Sequence, residues 1–114
     1  MRWADLEGRR VAVWGFGREG RAALNALARR LPGQAIELYC AADEVDAAKA
    51  AFPSVCVHGA APDADALAAF DVVIKSPGIS AYKPELLDAK ARGTRFTSGT
   101  ALWFAAHGDA RTIA

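Results

Sequence analysis

Residues 10–20 read RVAVWGFGREG, and the fold turns on this stretch. Residues 10–14 are apolar, β-branched and aromatic, as in a buried strand. Gly15-Phe16-Gly17-Arg18-Glu19-Gly20 follows directly as G-x-G-x-x-G, and 18–30 then carry Ala22, Ala23, Ala26 and Leu27 at helical spacing. A strand, a glycine turn and a helix in that order is the context in which this motif binds a diphosphate. Gly15 permits the tight turn, Gly17 lets backbone approach a phosphate, and Gly20 lets helix pack on strand. The free N–H groups at the helix start face the anion, helped by the helix dipole. A tight turn with no ligand uses the same three glycines. Glu19 suits the positive helix end whatever is bound. Arg18 is placed either to pair with a diphosphate or stack on a base, or simply to sit in solvent.

Outward from this unit, apolar runs alternate with helical patterns. Strands are expected at 35–39 (AIELY), 54–58 (SVCVH), 71–74 (DVVI) and 94–97 (TRFT). Helices are expected at 43–52, 63–70, 84–92 and 99–107, the third with Pro84 in its first turn and Gly93 at its stop, the last with Ser98 or Thr100 as N-cap. The order implies an α/β fold: a Rossmann-like parallel sheet of about five strands with helices on both faces. Residues 109–114 begin one more strand-like run and end, which reads as a protein cut short.

Composition narrows the classes. The 114 residues fit one domain, 53% hydrophobic and 24% charged, as in a globular protein. A formal net charge of +1 gives no field to attract nucleic acid or acidic membranes. No apolar run approaches the ~20 residues of a membrane span, and the charged start MRWADLEGRR is no signal peptide. Cys40 and Cys56 end apolar runs and read as reduced core thiols. Two cysteines without clustered histidines do not make a zinc site. A cytoplasmic location is expected. Trp3, Trp14 and Trp103 read as core or domain-contact anchors. Ser76 and Ser98 have no evident base, and His58 and His107 read as strand-end and helix-end residues, so no catalytic residue is assigned.

Dinucleotide folds usually end strand two with an acid that holds the ribose hydroxyls. Here strand two ends Leu38-Tyr39-Cys40, Glu37 lies inside it, and the next acid is Asp43. A nucleotide diphosphate is therefore supported better than NAD. After strand four comes Lys75-Ser76-Pro77-Gly78-Ile79-Ser80, a polar turn at the carboxyl end of a buried strand, where open α/β sheets bind ligands. In the usual topology it faces the glycine loop. Lys75 could offer a point charge to a diphosphate or be a snorkelling strand-end lysine.

S-P-G-I after V-V-I, with G-x-G-x-x-G about sixty residues earlier, resembles the first domain of the MurD-type Mur ligases. P-E-L-L-x-A-x-x-x-G, a short strand and G-T-A-L-W-F follow in that family's order, and Arg111-Thr112-Ile113-Ala114 resembles the strand leading into its phosphate loop. The resemblance covers essentially the whole chain. It implies that residues 1–114 are the N-terminal, UDP-binding domain of an ATP-dependent, amide-forming ligase of peptidoglycan synthesis. The ATP-binding and C-terminal domains lie outside it. Its partners are then UDP-N-acetylmuramoyl-L-alanine and, in the full-length enzyme, glutamate with ATP and Mg²⁺. No cofactor or metal is expected in this stretch, and alone it is expected to be inactive.

Carried over by position, Gly15, Gly17, Arg18, Glu19 and Gly20 fall on the loop that contacts UDP, and Lys75, Ser76, Pro77 and Gly78 on the loop that closes over it. Cys40 and Ala41 fall where the family often contacts uracil with Asp and Thr. This chain lacks that Asp, and the wording W-G-x-G-R-E-G-R-A-A and K-S-P-G-I-S is closer to a divergent branch that attaches L-glutamate rather than D-glutamate. Two other classes remain in view: an NAD-binding domain of an oxidoreductase or sensor, and an interaction module with an empty glycine turn.

Overall fold

The computed structural model describes residues 3–76, 78–80, 82–99, 101 and 102. Five strands form one sheet: β1 (Val11–Trp14), β2 (Ile36–Tyr39), β3 (Cys56–His58), β4 (Val72–Lys75) and β5 (Arg95–Thr97). Their spatial order is β3-β2-β1-β4-β5, with every pairing parallel. The order reverses direction between β1 and β4, which makes their carboxyl ends the topological switch point. The helices are α1 (Arg18–Arg30), α2 (Val45–Ala51), α3 (Ala64–Ala68) and α4 (Pro84–Ala91). This is the expected Rossmann-like α/β arrangement.

Alternation along the central strands assigns the two faces. Val11, Val13, Ile36, Leu38, Val72 and Ile74 pack with Ala23, Leu24 and Leu27 of α1, Ala48 of α2 and Leu102. Ala12, Trp14 and Val73 pack on the other face with Leu67 of α3, Phe70, and Leu86 and Ala89 of α4. β1 is buried along its whole length because it lies mid-sheet between two helical layers. Leu24 and Leu27 are almost wholly buried, each contributing about 1.5–3 kcal/mol of hydrophobic transfer energy.

Local chemistry sets the ends of α1. Glu19 sits in the first turn, Arg29 and Arg30 in the last, and Leu31 closes the helix by donating its N–H to the Leu27 carbonyl before Pro32. α3 is capped by Asp63, whose carboxylate accepts from Ala66 N at 2.7 Å. Ser98 caps the final helical segment through Ala101 N at 3.0 Å, which selects Ser98 over Thr100. The rest of that expected helix, with Trp103 and His107, and residues 109–114 lie outside the described residues.

Two features were not expected. Residues Trp3–Leu6 form a 3-10 turn that inserts Leu6 fully into the first cluster. Residues Ala42–Glu44 form another 3-10 turn leading into α2, so the expected helix at 43–52 begins as a tighter coil. Among the described residues no helix is long and apolar enough to cross a membrane.

Candidate functional site

The carboxyl edge of the sheet carries both loops singled out in the sequence. The register aligns Trp14 with Tyr39 on one side and Lys75 on the other. The chain leaves β1 at Gly15, whose N–H donates to Tyr39 O at 2.8 Å, and leaves β4 at Ser76, whose N–H donates to Trp14 O at 2.9 Å. The two loops therefore meet. Gly15 adopts φ +108°, a left-handed conformation that favours glycine.

Each glycine of the motif has its own steric role. A β-carbon on Gly20 would collide with the Gly15 carbonyl, so α1 rests directly on the turn. A β-carbon on Gly17 would meet nothing within 4 Å, and its φ of −81° suits any residue. The fold thus requires Gly15 and Gly20 but not Gly17. Phe16 points into the core, packs edge-on against Phe52 at 6.1 Å and lies under the Arg21 guanidinium at 4.3 Å. That anchor fixes the loop backbone on either side. Gly17 caps α1 with no side-chain hydrogen bond of its own. Arg18 is exposed beside it.

A cleft of about 270 Å³ opens next to Gly15, walled by Trp14, Tyr39, Cys40, Ala41, Glu44 and Ile79. Gly59 to Ala61, after β3, complete it. Of the residues singled out in the sequence, Gly15, Cys40 and Ala41 line this cleft. Gly17, Arg18, Glu19 and Gly20 lie on the adjoining turn of α1, Lys75 ends β4, and Ser76 and Gly78 lie on the facing loop. Pro77 lies outside the described residues. Lys75 is half-buried and donates from Nζ to its own loop's Ile79 O at 3.2 Å, a role neither sequence reading foresaw.

The end of β2 differs from expectation in detail. Cys40 is buried and its N–H donates to His58 O at 3.0 Å. Burial, then the Glu44 and Asp43 carboxylates, push its thiol pKa up, so it meets the cleft as a neutral group. Glu44 was missed in the sequence. Its carboxylate folds back to accept from Ala41 N at 3.1 Å while its own N–H donates to Ala41 O at 2.9 Å. This is the glutamate half of a capping box, and it places an acid in the cleft wall without one at the strand end.

Two further corrections fall on β3, and Glu37 lies inside β2 as expected. Cys56 is exposed, not a core thiol. On the sheet face opposite Ile36 and Leu38, Glu37 Oε1 lies 2.8 Å from His58 Nε2. His58 Nε2 also lies 3.8 Å from Cys56 Sγ, so a histidine does cluster with a cysteine. Cross-strand pairing does this: Glu37 is level with Cys56 and Tyr39 with His58. Linear spacing cannot show that register.

Fold and edge geometry define a doubly wound, Rossmann-like domain with a cleft beside its glycine turn. A scan against protein-family models finds no match. Among curated proteins, the chain is 55% identical over 108 residues to the UDP-N-acetylmuramoyl-L-alanine--L-glutamate ligase of Xanthomonas campestris pv. campestris, covering 94% of this chain and 23% of that protein. It is 49% identical over 109 residues to the ligase of that name from Xylella fastidiosa, covering 96% and 23%. For the Salinispora tropica ligase of that name the identity is 43% over 115 residues, covering 99% and 25%. The chain is similar to these ligases along nearly its whole length, and it spans about a quarter of theirs.

Proposed function

We propose that this chain holds the UDP end of UDP-N-acetylmuramoyl-L-alanine within a ligase that adds glutamate during peptidoglycan precursor synthesis. The names of its relatives support the substrate and favour L-glutamate over D-glutamate. The observation that carries the nucleotide reading is Gly17 at the start of α1, where a β-carbon would meet nothing within 4 Å and where the fold does not require a glycine. A diphosphate there would accept from the first N–H groups of α1 and gain from its dipole. Arg18 stands within the same turn to add charge. The cleft beyond Gly15 then takes the uridine. It is slightly smaller than common small-molecule sites, roughly 300–1,000 Å³, and suits one end of a nucleotide sugar.

Uracil recognition in this reading falls to backbone groups after β2 and to the Glu44 carboxylate in the cleft wall. Lys75 and Ser76 close the other side from the facing loop. The chain carries no G-K-S/T phosphate loop to hold ATP and Mg²⁺. These and the glutamate site belong to the remaining three quarters of such a ligase. The 114 residues are proposed to bind and orient, in the cytoplasm, without ligating alone. The NAD reading is disfavoured because β2 ends at Tyr39, is followed by Cys40, and offers no carboxylate at that end to ribose hydroxyls.

The test is an NMR titration of the purified chain with UDP-N-acetylmuramoyl-L-alanine, UDP and NADH. Shifts at Gly17–Gly20 and Cys40–Ala41 with both uridine compounds, and none with NADH, are expected. Response to NADH alone would reinstate the dinucleotide class, and silence to all three would leave an interaction module.

A further inference from the structure

Glu37, Cys56 and His58 hold one carboxylate oxygen, one thiol sulfur and one imidazole nitrogen within 4.8 Å of one another on one face of the β2–β3 pair. The role proposed above uses none of the three. We propose that they form a zinc site that pins the edge strand β3 to β2.

The donor set fits that ion. Thiolate with imidazole and carboxylate suits Zn²⁺, whereas Mg²⁺ and Ca²⁺ prefer oxygen alone. Zinc bonds of about 2.0–2.1 Å to nitrogen and about 2.3 Å to sulfur set tetrahedral ligand separations near ~3.5 Å. Cys56 Sγ and His58 Nε2 already stand 3.8 Å apart, and His58 Nε2 and Glu37 Oε1 2.8 Å apart. The ion enters between them by small side-chain rotations.

The ligands are held from behind. The Tyr39 ring stacks on the His58 imidazole at 4.5 Å and 15°, and Tyr39 packs edge-on against Phe70. Arg10 approaches the other Glu37 oxygen at 3.9 Å, leaving Oε1 turned towards His58. Such outer contacts orient ligands before the metal arrives. His58 and Glu37 side chains are 37% and 30% exposed, which leaves access for the ion and a water as fourth ligand. Uptake releases the Cys56 proton and requires the Nδ1–H tautomer of His58, which leaves Nε2 free for the metal. β3 has three residues and lies at the sheet edge, so it gains most from a bridge to β2.

The experiment titrates the purified chain, kept reduced with a phosphine, with Co²⁺ and then Zn²⁺. One equivalent of Co²⁺ is expected to give a thiolate-to-metal charge-transfer band with the strong visible bands of four-coordinate cobalt, and Zn²⁺ to erase both. Cys56→Ser abolishes the charge-transfer band. His58→Ala and Glu37→Gln weaken affinity at least about tenfold. Cys40→Ala leaves the band intact. All three ligand positions are partly open, so circular dichroism will show these variants folded. Absence of the band, or its survival in Cys56→Ser, overturns the site.

Discussion

Gly15 and Ser76 approach so closely that a β-carbon at position 15 would stand 2.7 Å from the Ser76 β-carbon. The contact joins the turn after β1 to the loop after β4 and leaves no room for a side chain between them.

The three glycines of the turn should therefore respond differently to alanine. Gly15→Ala combines the clash with a left-handed φ and should cost about 1–3 kcal/mol in urea denaturation. Gly20→Ala forces α1 off the Gly15 carbonyl and should cost at least as much. Gly17→Ala should stay within about 1 kcal/mol of the parent, because only an N-cap preference is lost, yet weaken UDP binding by narrowing the approach to the helix start. Equal UDP affinity in Gly17→Ala and the parent chain would count against the diphosphate assignment.

Thr94 is buried, and its hydroxyl points at two carbonyl oxygens, Leu67 O at 3.2 Å and Phe70 O at 3.0 Å. Those carbonyls belong to the end of α3 and the turn after it, so Thr94 ties the approach to β5 to α3. Thr94→Val keeps the shape and strips the donor. It should lower stability by about 1–3 kcal/mol, while Thr94→Ser retains most of the bond. A stability unchanged in the valine variant would show that water replaces the hydroxyl.

The central features were legible because they are local. Residues 10–30 spell strand, turn and helix in contiguous sequence, and α1 falls on the expected residues, Arg18–Arg30. The meeting of the glycine loop with Ser76 followed from parallel topology, which places both loops at one sheet edge. What stayed hidden depends on register and side-chain direction. Glu37 is the strand residue expected, but only the pairing of β3 beside it brings His58 to its carboxylate. Cys56 looked buried because its neighbours are apolar, but its strand is a sheet edge. Glu44 was invisible because its folding back onto Ala41 is a matter of turn geometry.

Gln34 is another hidden residue. In sequence it merely follows Pro32-Gly33, yet its side chain fastens the N-terminal 3-10 turn to the sheet. Its Oε1 accepts from Gly8 N at 3.0 Å, and its Nε2 donates to Leu6 O and to Arg9 O. Gln34→Ala leaves those groups to water and loosens Leu6 in the first core cluster. A loss of about 1–3 kcal/mol is expected, with faster hydrogen exchange at the Gly8 amide. Unaltered exchange there would mean that the 3-10 turn is held by Leu6 alone.

Cys40 and Tyr39 give the protein an alkaline weakness. The Cys40 thiol pKa is raised by burial, then by Glu44 and Asp43. The Tyr39 phenol pKa is raised by burial, then by Glu37, Asp63 and Cys56, with Arg10 opposing. Both groups ionise less readily folded than unfolded, so the folded state retains protons that the unfolded chain has released. Their stabilising contribution is complete below the unfolded values, about 8.5 for a thiol and about 10 for a phenol, and is lost as pH rises through the higher folded values. Stability should thus be level near neutrality and fall above about pH 8.5, by at most about 1.4 kcal/mol per pH unit for each group. Cys40→Ala removes the first contribution, so its denaturation midpoint should decline less steeply between pH 8 and 10 than the parent's, after its constant cavity cost is subtracted. Parallel declines would show that Cys40 ionises as freely in the folded chain as in the unfolded one.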